Sequence, residues 1–278
     1  VDFNVPVKNN VIVDDFRIRA VIPTIQYLQD KGALIVLISH IETKDNPTLE
    51  PVAEFLKKLG IDCVFEKNYK KALNNEAKIL LLENLREFEG EKRNDKGFAK
   101  ELASLADIYV NEAFAVSHRE HASLCAITEF IPSYAGFTFE NEIKNLSTAF
   151  NPDHPFLFIL GGANFEKKLP LLEKFSTIAD KIFVGGALSN DFFKLQGRDI
   201  KKSLVSTEEF DIDGLLNHPK IILPVDEVWK DDAIMDAGTK TVDLLKNEIQ
   251  KAKYILWNGP LGAYEQGFKQ ATIELANA

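Results

Sequence analysis

Short branched apolar runs without polar alternation recur along the chain: ALIVLIS at 33–39, IDCVF at 61–65, AKILLLENL at 77–85, ADIYVNEAF at 106–114, FLFILGG at 156–162, KIFVGG at 181–186, KIILPVD at 220–226 and AKYILWNGP at 252–260. A strand with one face in water alternates, whereas a strand buried on both faces does not. The runs therefore predict parallel strands covered by helices on both sides. Helical spacing fills the intervals: Ile18, Val21, Ile22, Ile25 and Leu28 share one face, and Lys31-Gly32 ends that helix. TLEPVAEFLKKLG at 48–60 repeats the device, with Thr48 as the cap and Gly60 as the stop. VDFNVP at the start reads as the end of a strand, and the sequence as part of a longer chain.

A chain of 278 residues is long enough for two cores. Pro132, Gly136 and Pro152 punctuate a helical segment between the two strand series. The economical solution is α/β, with two parallel-sheet domains, residues 1–134 and 135–278, joined near 134–150.

Lysine and arginine number 33 against 42 aspartates and glutamates, a formal charge of −9. That balance argues against nonspecific nucleic-acid or anionic-membrane binding, while leaving room for a locally basic cleft. No apolar run reaches the ~18 residues of a membrane helix, and the first twenty residues carry Asp2, Asp14, Asp15, Arg17 and Arg19. A cytoplasmic protein is expected. Cys63 and Cys125 read as two ordinary buried thiols.

Open parallel sheets bind ligands at the carboxyl ends of their strands. In the first half those ends offer Asp2 and Asn4, Ser39-His40, Asn84 and Arg86, Asn111, and then His118, Arg119 and His121, with Arg17 at the start of the first helix. Arginine forks in place of lysines suit a small, highly oxygenated anion held in a defined pose. Each residue also has a structural reading: His118 as a hydrogen-bonded scaffold residue, Arg86 as a partner of Glu83 or Glu87. No HxH or HExxH arrangement makes a zinc site.

In the second half the strand ends offer GGA at 161–163, GGA at 185–187 and NGPLG at 258–262. Glycines admit close backbone approach, and amides at a helix start receive phosphate oxygens; tight strand-to-helix turns would use the same residues. Neither GxxxxGK[ST] nor a clean GxGxxG is present, so a P-loop enzyme is unsupported and a dinucleotide oxidoreductase is the weaker alternative. Lys168 could reach a transferring phosphoryl group and Glu265 a ribose hydroxyl, or both could simply be solvated.

VDFNVP, DDFRIRAVIPTIQYL, the SH at 39–40, LLENLR, YVNEAFAVSHREHAS, FILGGA, LPLLEKF, IFVGGA and ILWNGPLGAYE occur in the order of phosphoglycerate kinases, and the chain resembles that family over essentially its whole length. The resemblance implies two Rossmann-like α/β/α domains facing a central cleft. It implies reversible phosphoryl transfer between 1,3-bisphosphoglycerate and ADP, giving 3-phosphoglycerate and ATP in glycolysis, with Mg2+ bound to the nucleotide and a monomeric enzyme. By the same resemblance Asp2, Asn4, Arg17, His40, Arg86, His118, Arg119 and His121 hold the acid substrate, and Arg17 and Lys168 act on the transferring group. Gly161, Gly162, Ala163, Lys168, Gly185, Gly186, Asn258, Pro260, Gly262 and Glu265 line the nucleotide. Substrates on separate domains imply hinge closure, with residues 134–150 as the hinge region.

Three departures stand out. SHIETKDNP lacks the arginine and glycines of the family's SHxGRPxG, and GGANFEKK places Asn164 at the first lysine of GGAKxxxK, with Lys167 as a neighbouring substitute. The chain reaches ELANA without the GGGD segment, and no carboxylate is assigned to the metal. A noncatalytic anion- or nucleotide-binding protein on the same scaffold is the alternative these departures favour.

Overall fold

The computed structural model describes residues 1–42, 47–207, 213–216 and 218–278. The chain forms two units, Val1–Leu146 and Ser147–Ala278.

In the first unit the strands Ile35–Leu37 and Cys63–Glu66 flank Ile79–Leu82, and both pairings are parallel. The central strand explains the apolar run. Ile79 and Leu81 enter one core with Ile18, Val21 and Ile25 of the helix Phe16–Asp30 and Val52 and Leu56 of the helix Glu50–Lys58. Leu80 and Leu82 point the other way, into a second core with Phe98, Ala99 and Leu102 of the helix Lys96–Ala103. Each residue of the strand thus loses its water contact, which is why no polar position interrupts it.

The second unit repeats the arrangement around a four-stranded parallel sheet in the order Ile221–Ile222, Lys181–Val184, Phe156–Leu160, Tyr254–Asn258. Phe156, Phe158 and Leu160 face the helices Phe165–Ile178 and Leu188–Leu195, while Leu157 and Ile159 face Thr239–Lys251 and Gln270–Ala276. Both units are therefore α/β layers with parallel sheets, as the periodicity predicts. Among the described residues, no helix is long and apolar enough to cross a membrane.

Several local expectations change. VDFNVP forms no strand; the Ser39 hydroxyl accepts from the Phe3 amide and donates to the Val1 carbonyl, both at 2.9 Å, and so holds the segment beside the sheet. KIILPVD contributes only Ile221–Ile222, and the run at 106–114 only Tyr109–Asn111, paired with Ser133–Ala135. Thr48 is not the N-cap of its helix: Leu49 holds that position, without a side-chain cap bond, and Thr48 and Glu83 bond the amides beside it. The Thr48 hydroxyl accepts from Glu50 N–H at 3.2 Å, while the Glu83 carboxylate takes the Leu49 N–H at 2.9 Å. Gly60 ends that helix at φ +84°, a conformation that suits glycine. The antiparallel hairpin Glu227–Lys230/Ala233–Ala237 was not expected, although Asp231-Asp232, both at positive φ, is a turn signal between its strands. Cys63 is buried and Cys125 only half-buried; both are free thiols.

The division set after residue 134 falls later, after Leu146. The helix Phe137–Thr148 starts against the first unit because its amides need partners there. The buried Glu112 carboxylate takes the N–H groups of Thr138 and Phe139, at 3.3 and 3.2 Å, and also receives the Thr24 hydroxyl. The Thr138 hydroxyl donates to Ala20 O at 2.9 Å.

Phe158 lies in mid-strand with no exposed surface. Phe158→Ala is expected to cost about 3–5 kcal/mol in denaturant-induced unfolding of the second unit. A loss below about 1 kcal/mol would contradict two-faced burial of that strand.

Candidate active site

In the first unit, parallel register places Leu37 beside Leu81, so the loops that leave those strands emerge side by side. One carries Ser39 and His40, the other Asn84 and Arg86. The buried Asn84 amide joins them: its Nδ2 donates to Ile41 O and Pro47 O, both at 2.9 Å, and its Oδ1 accepts from the amides of Ile41 and Arg86 at 3.3 and 3.2 Å. The Leu85 amide adds a bond to Ser39 O at 3.1 Å.

A third loop brings Arg119 and His121. Its anchor is Glu91, which is buried, accepts from the Ser123 amide and hydroxyl at 3.0 and 2.7 Å, and lies 3.7 Å from His121 Nδ1. Burial pushes the Glu91 carboxyl up, against the pull of Ser123 and Arg86.

Arg17, in the first turn of its helix, donates from Nη1 to Asp2 Oδ2 at 2.9 Å and to Asn4 O at 3.2 Å. Asn4 Oδ1 accepts the Glu42 amide at 2.9 Å. The Glu42 carboxylate pairs with Arg86 and lies 3.6 Å from Arg119 Nη1. Arg17, Arg86 and Arg119 are thereby linked in one network. Arg86 pairs with Glu42, not with Glu83 or Glu87, because Glu83 is committed to Thr48, Leu49 and Asn84.

The imidazoles do not carry the charge that their place in a basic cluster suggests. Burial, followed by the Arg86 guanidinium, pushes His40 down to about 4. Burial and then Arg86 and Arg119 also lower His121. Both rings are neutral at pH 7, and the positive charge is supplied by the guanidiniums. His40 Nε2 and Arg86 Nε are buried without a hydrogen-bond partner among the described residues, and both side chains border a cavity of about 20 Å³ shared with Glu91 and His121. His118 is exposed and lies outside this set of contacts.

In the second unit a cavity of about 960 Å³ is lined by Gly162, Ala163, Gly186, Pro260, Gly262 and Glu265, among others. Glycines in its wall and directly behind it let backbones cross. A Cβ on Gly161 would lie 2.3 Å from Pro260 O, and one on Gly259, at φ +88°, would lie 2.5 Å from Gly161 O. The amides of Gly161, Gly162 and Gly185 donate to Asn258 O, Pro260 O and Leu160 O, each at 2.8 Å. Only Gly162 of these three lines the cavity, and all three N–H groups are already engaged, which corrects the expectation of free phosphate donors.

Lys168, half-buried on the first turns of its helix, donates from Nζ to Asn258 Oδ1 at the end of the adjacent strand. Asn164 is the N-cap of that helix, its Oδ1 accepting from Lys167 N–H at 3.1 Å. Where the resemblance implies a lysine, this chain has a side chain that satisfies a helix terminus, and the exposed Lys167 supplies its amide to that cap. Glu265 is exposed on the turn Tyr264–Gln266.

Sequence reasoning missed Glu42, Glu91 and Asp236. Asp236 borders the cavity, is buried, has its carboxyl raised by burial, and accepts from the Ala237 and Ala271 amides at 2.9 and 3.3 Å. Only Glu42 carried a signal, as an acid directly after the strand-end SH-Ile. Among the described residues no group of three or more His, Cys, Asp and Glu side chains could hold a metal ion.

The phosphoglycerate kinase family model matches residues 1–278. A phosphoglycerate kinase from Dictyoglomus turgidum is 39% identical, with 100% of this chain and 80% of the relative covered. One from Thermosipho africanus is 40% identical, at 100% and 79% coverage. The solved structure of phosphoglycerate kinase from Coxiella burnetii matches with a TM-score of 0.82 at 32% identity, covering 99% of this chain and 80% of the other. That from Pyrococcus horikoshii matches with a TM-score of 0.85 at 28% identity, covering 99% and 81%. Matched along its whole length in sequence and along nearly all of it in fold, the chain belongs to the phosphoglycerate kinase family.

Proposed function

We infer that the arginine network of the first unit holds the acid substrate, and the glycine-walled cavity of the second the nucleotide, for the family's reaction: reversible phosphoryl transfer between 1,3-bisphosphoglycerate and ADP. The observation that carries this reading is the linkage of Arg17, Arg86 and Arg119 through Asp2, Asn4 and Glu42 at the ends of parallel strands. Guanidinium forks match carboxylate and phosphate oxygens in shape as well as charge.

In the ATP-forming direction a β-phosphate oxygen of ADP attacks the acyl phosphate. The new P–O bond forms as the bond to the carboxyl oxygen breaks, and 3-phosphoglycerate leaves as a carboxylate. The nucleophile is already anionic, so no side chain has to remove a proton. The neutral state of His40 and His121 fits that need, because these rings serve as hydrogen-bonding groups. Catalysis falls to positioning and to positive charge on the transferring group.

Arg17 is the residue assigned to that charge. It is half-exposed, and Asp2 and Asn4 O hold one of its nitrogens, leaving the rest of the fork for a ligand. Lys168, held by Asn258, is assigned to the nucleotide phosphates, and Glu265 to the ribose hydroxyls. Magnesium enters with the nucleotide as part of the substrate: Asp236, the buried carboxylate beside the cavity, already accepts backbone amides. Mg2+ typically sits on substrate phosphates, with water and one or two carboxylates completing its shell. The reading describes a monomeric cytoplasmic enzyme of glycolysis.

Arg17→Ala is expected to lower kcat in a coupled transfer assay by roughly 100- to 1000-fold, with ADP affinity by titration unchanged. Wild-type turnover in this variant would remove Arg17 from the reaction. Lys168→Ala is expected to raise the KM for ATP about ten- to hundredfold while sparing that for 3-phosphoglycerate. The opposite pattern would place Lys168 with the acid.

A further inference from the structure

Glu42 sits where an acidic side chain is least expected, on the two guanidiniums assigned above to an anionic substrate. Its carboxylate pairs with Arg86 and approaches Arg119 Nη1 at 3.6 Å through the same oxygen, Oε1. The backbone behind it is fixed. Glu42 N–H is bonded to Asn4 Oδ1 at 2.9 Å, and the preceding Ile41 is bonded to Asn84 through both its amide and its carbonyl.

The partners differ in exposure, and that difference decides how the contact behaves. The Arg86 side chain is 7% exposed, whereas that of Glu42 is 54% exposed. A buried guanidinium is costly to leave without a counter-charge, but a half-exposed carboxylate returns to water cheaply. Arg86 therefore needs an anion, and Glu42 can surrender the position to a better one.

We propose that Glu42 is a specificity-determining residue, a tethered carboxylate that occupies the Arg86–Arg119 position and sets the threshold an incoming anion must exceed. The proposal rests on the acid-site reading above. The negative groups acting on Arg86 are Glu42, the buried Glu91 and Asp2. Removing the Glu42 charge leaves the cluster one unit more positive. A phosphoglycerate, with a carboxylate and a phosphate on one molecule, gains enough contacts to displace the tether. Sulfate or inorganic phosphate, gripping a single position, competes poorly against a group that is already in place and loses no translational freedom.

The test compares Glu42→Gln with the wild type in the ATP-consuming direction. The KM for 3-phosphoglycerate is expected to fall on the order of tenfold, and the inhibition constant for sulfate to fall at least as far, while the KM for ATP stays constant. Glu54→Gln, which removes an exposed charge on the helix Glu50–Lys58, is expected to change neither constant. Equal effects from both variants would make net charge the cause and overturn the proposal. So would an unchanged or raised KM for 3-phosphoglycerate in Glu42→Gln. Arg86→Gln separates the two levels of argument. If it raises that KM while Glu42→Gln does nothing, the acid site stands and the tether fails. If Arg86→Gln leaves the KM unchanged, the acid-site reading fails with it.

Discussion

Burial of each central strand on both faces is the constraint from which the rest follows. Ile79 and Leu81 feed one core of the first unit and Leu80 and Leu82 the other, and Phe156–Leu160 divides its side chains in the same way in the second. Helices must then cover both faces, the crossovers between strands must be long, and the strands run parallel. Side chains that meet a ligand have nowhere to emerge except at strand ends. There the parallel register sets neighbouring loops beside each other, so His40 and Arg86, far apart in sequence, become neighbours.

Loops collected by register still have to be held, and buried polar side chains do this. Asn84 ties the His40 and Arg86 loops, Glu91 ties the loop of Arg119 and His121, and Glu112 ties the helix that begins at Phe137. Asn84 and Glu112 each bond several backbone groups, and Glu91 bonds the Ser123 amide and hydroxyl, which is how a buried amide or carboxylate avoids the cost of desolvation. Rigidity at the site therefore comes from residues that need touch no ligand. Of the guanidinium nitrogens, the buried Arg86 Nε has no hydrogen-bond partner among the described residues.

The layer architecture was legible because it is written in composition over several residues at a time. A run such as FLFIL tolerates no other reading once its length and its flanking glycines are considered. The arginines were legible for a related reason, since strand ends can be located and Arg17, Arg86 and Arg119 lie at or near them. What escaped was pairwise. Glu42 on Arg86, Glu91 under His121 and the engagement of the Gly161 and Gly162 amides all depend on which loop meets which. Residue type alone leaves that undetermined. Protonation escaped for the same reason: that His40 is neutral follows from its buried place beside Arg86, which the sequence does not give. The domain boundary drifted because Glu112 draws the start of the connecting helix into the first unit.

Asn164 carries a different kind of consequence. With its side chain closing the first turn of the helix Phe165–Ile178, that terminus is complete before any ligand arrives. The cap contributes about 1 kcal/mol to the second unit whether or not a ligand is bound. Any ligand of the folded unit adds its own stabilisation on top, by mass action.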